Sequence, residues 1–169
     1  MYVIIIILIV VLLIAAIFIN AMQQHRQKQE AERRTELAKQ RTIVDETENV
    51  IAACVNMPVS SRIMGILHNR ILNALKAMND LSSTSELKQR ISSCEQATAA
   101  ALSDNSGITN DFALPDNDKM IIQYIQAVKK LRIILRSEHS KGQIDSKVFM
   151  DEDKQLERLQ VKVNFETLI

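Results

Sequence analysis

Two cysteines and three histidines are the side chains in this sequence best suited to chemistry, and their spacing assembles none of them into a recognisable site. A nucleophile built from Cys54 or Cys94 with His68 or His139 would need a base brought close by folding, and no family signature surrounds any of the four. Small residues on helix faces are usually core fillers, so a pocket uniting Cys94 with His68 would be needed to revive an enzyme reading. A disulfide is not demanded either; two free buried thiols, as in a reducing compartment, are expected. His25, His68 and His139 are scattered, and there is no HExxH, no paired CxxC and no acidic calcium loop, so no metal is expected. Glycine-rich phosphate loops are absent. No catalysis, cofactor or small-molecule substrate is therefore expected.

Charge supplies the remaining candidates. Lys119, Lys129, Lys130, Arg132 and Arg136 occur with no acidic residue between 119 and 137, and Lys129, Arg132 and Arg136 share one helical face. Such a face could touch phosphates or a protein partner. The competing reading is a solvated face paired with Asp151, Glu152, Asp153 and Glu157 on the next, antiparallel helix. The chain carries 21 basic and 20 acidic residues, so no global field steers it toward nucleic acid. The acidic cluster Asp151–Asp153 lacks calcium-loop spacing and reads as the first turn of a helix, where acids suit the dipole.

The element that would position all of these is the first stretch, Met1–Ile19, which holds no charge, proline or glycine. As a helix it spans roughly 28 Å, close to the hydrocarbon thickness of a bilayer. No positive n-region precedes it, which disfavours a cleaved signal peptide, and it is apolar all round, which disfavours a soluble core helix. Arg26, Lys28, Arg33 and Arg34 follow it and act as topology determinants. A retained single-pass span is expected, N-terminus out, with the remaining mass on the cytoplasmic side of the inner membrane. The layout is that of an inner-membrane adaptor, an analogy of architecture that transfers no residue roles.

Beyond the span (1–22), residues 23–36 read as a polar helical stalk and 37–169 as one helical bundle domain. About 147 residues at roughly 40 % apolar content are enough for one core. With 3 Gly and 2 Pro, the turn chemistry of a many-stranded fold is missing. Leu37, Val44 and Ile51 recur every seven residues, but Gln40, Thr47 and Cys54 interleave, so a coiled coil is only half written. That helix should end near Met57, before Pro58. A second helix should run over 60–79, capped by Ser60 or Ser61, with Gly65 admitting a close neighbour. Ser83 and Glu86 fit a capping box for a third helix carrying Leu87, Ile91, Cys94 and Leu102 inward and ending at Asp104–Gly107. Phe112 and Leu114 should fold back over the core. A fourth helix, begun by Asp116 or Asp118, should span 119–139 and stop at Gly142. The segment 144–169 reads as a fifth, although Val161, Val163 and Phe165 alternate as a short strand would.

The expected fold is therefore all-α: one transmembrane helix followed by a cytoplasmic antiparallel bundle of four to five helices. The expected function is a membrane-anchored interaction module that recruits a protein partner or itself. A membrane-tethered nucleic-acid binder using helix 119–139 is the alternative.

Overall fold

Apolar side chains at helical spacing, with hydroxyl or amide groups at several helix starts, give five helices and no strand among the described residues. The computed structural model describes residues 1–55, 57, 59–103 and 117–167. The helices are α1 (Tyr2–Cys54), α2 (Ser61–Leu81), α3 (Ser85–Ser103), α4 (Asp118–Ser140) and α5 (Ser146–Thr167). The chain divides into two units, Met1–Lys39 and Gln40–Ile169.

The first unit is the N-terminal part of α1. Every residue from 1 to 35 is exposed, and the most apolar 18-residue window has a mean hydropathy of 3.6 with none of it buried. A helix this long and apolar has the makings of a membrane span or a signal anchor. The helix continues without a break through the polar residues that follow, because 20–36 hold good helix formers and no proline or glycine.

In the second unit α1 supplies Val50 and Cys54 to a core shared with Ile63 and Leu67 of α2, Val128, Leu131 and Leu135 of α4, and Leu156 of α5. Of the three residues that interrupt the heptad pattern, Thr47 and Cys54 are buried and Gln40 is half-buried. This face of α1 packs on its own chain. The helix ends at Cys54, whose carbonyl accepts from the Met57 amide at 3.0 Å, three residues short of the expected stop. Pro58 lies outside the described residues.

Helices α2 and α3 form an antiparallel hairpin. Its contacts step in opposite directions along the two helices, from Gly65 under Leu102 to Lys76 beside Glu95. Ser60 caps α2, its Oγ accepting from the Ile63 amide at 3.3 Å. The expected Ser83–Glu86 box does not form. Thr84 Oγ1 takes the Leu87 amide at 3.2 Å instead, so the helix starts one residue later. Two adjacent hydroxyls compete for one cap, and residue type does not separate them. Leu102 is a second correction: it is 64 % exposed and only drapes over Gly65, with its Cδ2 at 3.1 Å from where a Cβ would stand.

Helices α4 and α5 form a second antiparallel hairpin, registered by the His139–Phe149 ring stack at 4.5 Å and by Arg132 against Asp153 and Gln160. Asn117 caps α4, its Oδ1 accepting from Lys119. At the other end Gly142 has φ +74°, with Gly142 N–H on the His139 carbonyl and Gln143 N–H on that of Glu138. That is the Schellman arrangement, which glycine adopts without steric strain. The last segment is helix through Thr167; Val163 is buried while Val161 and Phe165 are exposed, as a helix requires. Because α5 begins at Ser146, the acidic cluster 151–153 sits beyond the first turn, and its three members part company. Asp104–Gly107, Phe112, Leu114 and Asp116 lie outside the described residues.

Candidate functional site

Cys94 and His68 do meet. The antiparallel packing of α2 and α3, with α1 alongside, leaves an open groove of about 610 Å³. Ile51, Ile71, Leu75 and Ala97 line it, together with Cys94 and His68. Glu48 of α1 and Arg90 of α3 pair at 2.9 Å and belong to the same lining. The chemistry of the pair is not that of a nucleophile and its base. Cys94 Sγ donates to the His68 main-chain carbonyl at 3.3 Å rather than to the ring. Burial, with a smaller push from Glu48, raises the thiol above its ordinary value, although the Thr98 hydrogen bond opposes this. Burial lowers the imidazole. Both shifts favour the uncharged thiol and the uncharged ring, whereas a reactive cysteine needs a thiolate held by a nearby positive charge. Cys54 is further from reactivity, its thiol pushed up to about 12 by burial. Both cysteines are free and buried. Among the described residues no three His, Cys, Asp or Glu side chains gather to hold a metal ion.

The basic run on α4 separates into two kinds of residue. Arg132 turns toward α5, where Nε and Nη2 contact the two carboxylate oxygens of Asp153 at 2.9 and 3.3 Å, and Nη1 reaches Gln160 at 3.3 Å. The Asp153 hydrogen bond holds the guanidinium above its ordinary value. Arg132 thus holds the hairpin register and is not free to reach a phosphate. Lys129 and Arg136 are exposed on the outer side of α4 and make no ion pair among the described residues. The face proposed from spacing therefore keeps two of its three members. Arg26, Lys28, Arg33 and Arg34 are all exposed along the first unit.

Two buried polar links are not among the sites that residue spacing points to. Arg70 of α2 donates through Nη1 to Glu138 of α4 at 2.9 Å and through Nε to Thr47 of α1 at 3.2 Å. The two charged side chains are 9 % and 4 % exposed, and Lys141 approaches the same Glu138 oxygen at 3.4 Å. Ser60 donates to the buried Glu152 at 2.8 Å, placing that carboxylate at the positive N-terminal end of α2. A signal did exist. Arg70 falls between Leu67 and Ile71 on the apolar stripe of α2, and Glu138 continues the Leu131–Leu135 line of α4. Opposite charges set within two apolar stripes point to a buried pair.

Against known proteins, no family model, no curated protein and no solved structure matches this chain.

Proposed function

We propose that this chain is a single-pass, membrane-anchored helical interaction module. It holds a cytoplasmic bundle at the inner membrane, N-terminus out, and recruits or regulates a protein partner there. One observation carries the reading: α1 is a single helix whose first part is wholly exposed and apolar and whose last part is core. An apolar surface of that size has no place in water, and a bilayer is the solvent that matches its length. The four basic side chains that follow within about 15 residues suit the cytoplasmic flank. Tethering then raises the effective concentration of a modest binder near its target.

The test is photo-crosslinking of the full chain in intact cells, with the reactive group at exposed positions such as Ser92 and Lys129. One reproducible adduct, to another protein or to a second copy, is the expected result. No adduct at any position, or release of the chain from membranes by alkaline carbonate, would defeat the proposal. Protease added outside sealed spheroplasts should leave the bundle intact; digestion reverses the orientation.

A further inference from the structure

We infer that the outer face of the α4–α5 hairpin binds an anionic phospholipid surface. Ile122, Lys129, Ile133 and Arg136 fall on one exposed strip of α4, at steps of seven, four and three residues. Met150, Lys154, Arg158, Val161 and Phe165 form a similar strip on α5, opposite the buried Leu156 and Val163.

Two segregations single out this hairpin. Between residues 119 and 165, nine exposed basic side chains stand against three exposed acidic ones, Asp145, Asp151 and Glu157. With the inward-turned side chains included, the segment holds ten basic and six acidic residues against 21 and 20 in the whole chain, so the positive charge is concentrated here. Large apolar side chains are concentrated as well. Of the seven exposed beyond Met22 among the described residues, five are on these two helices: Ile122, Ile133, Met150, Val161 and Phe165.

Lysine and arginine interleaved with isolated aliphatic and aromatic side chains is the chemistry of an interfacial helix. The cations meet lipid phosphates while the apolar groups enter the headgroup layer. Nucleic acid would use the cations but has no place for exposed isoleucine, valine and methionine. The two inward-turned acids, Asp153 on Arg132 and Glu152 on Ser60, are what leave the outer face so basic. The inference rests on the membrane location proposed above for its setting only.

In the test, the full chain is placed in phosphatidylcholine nanodiscs, which occupy its apolar helix. Separate vesicles, with or without about 30 % phosphatidylglycerol, are then offered and recovered by flotation. Capture is expected by the anionic vesicles alone, falling about tenfold as salt rises from about 0.05 to about 0.5 M. Combined Lys129→Glu, Lys130→Glu and Arg136→Glu should abolish it. Ile133→Ser with Phe165→Ser should weaken it without weakening binding to double-stranded DNA or poly-glutamate. All these positions are exposed, and circular dichroism confirms that each variant is folded. Arg33→Glu with Arg34→Glu should leave capture intact. Equal capture by neutral vesicles, capture that survives the α4 reversal, or capture lost with the stalk variant would each overturn the inference. Tighter binding to DNA or poly-glutamate, unmoved by the serine variants, would also overturn it and assign the face to that polymer. A chain that does not enter nanodiscs counts against the anchor and is offered to vesicles directly, with the same variants deciding the face. Loss of every crosslinked partner in cells would leave vesicle capture unchanged, so the two proposals fail separately.

Discussion

Arg70 brings a guanidinium into a core of aliphatic side chains, and the surroundings satisfy it with one carboxylate and one hydroxyl. Removing one member of such a pair strands the other charge in a place it cannot be hydrated. Arg70→Met is expected to cost about 3–5 kcal/mol in urea unfolding, and Arg70→Met with Glu138→Leu to recover most of that loss. A double variant as unstable as the single one would mean that the network is worth more than its charges. His68 gives a pH signature. Burial holds its folded-state value below the ordinary 6.5, so protons favour the unfolded chain. The stability it contributes is complete above about pH 6.5 and declines as pH falls through the lower folded value. Melting temperatures measured from pH 8 to pH 5 should therefore fall less steeply for His68→Gln than for the native chain.

At the scale of elements, much was legible because helix ends carry local chemistry. Ser60, Gly142 and the 3.6-residue stripes of α2 and α4 lie close in sequence to the groups they satisfy, so their roles can be read without the fold. Thr84 was not separable from Ser83, since both offer a hydroxyl within one residue of the same amides. Pairings such as Arg70 with Glu138 and Ser60 with Glu152, 68 and 92 residues apart, depend on how helices are stacked. Residue order cannot bring Cys94 to His68; the Cys94 hydrogen bond to a carbonyl depends on the depth at which α3 lies on α2. The basic face was legible as a run of charge, but Arg132's turn toward Asp153 needed the hairpin register. Gly65 and Gly142, the glycines among the described residues, should answer substitution with opposite signs. At Gly65 a methyl meets only the movable, mostly exposed Leu102, so Gly65→Ala should stabilise α2 by roughly 0.5–1 kcal/mol. At Gly142 there is open space but a left-handed backbone, so Gly142→Ala should cost about 1 kcal/mol. Thermal melts of the two variants check both signs.

For the molecule as a whole, the two units should differ in dynamics as they differ in burial. Residues 20–35 are helical yet exposed along their whole length, so their amides open by local fraying alone. Hydrogen exchange on the chain held in a nanodisc should show residues 23–35 exchanging far faster than 44–54 of the same helix. Equal protection would mean that something covers the stalk, a second copy being the simplest cover.

The uninterrupted α1 also sets a schedule for synthesis. The helix that begins as the apolar run is made first, yet the residues that complete its core are made late: Glu138 comes 68 residues after Arg70, and Glu152 comes 92 after Ser60. At about 5–20 residues per second, Ser60 waits roughly 5–18 s for its partner. During that interval the core of the second unit can be covered only in part, by α3 and then α4, before Leu156 and Glu152 of α5 complete it. Until α5 emerges, the buried polar links of this fold are incomplete.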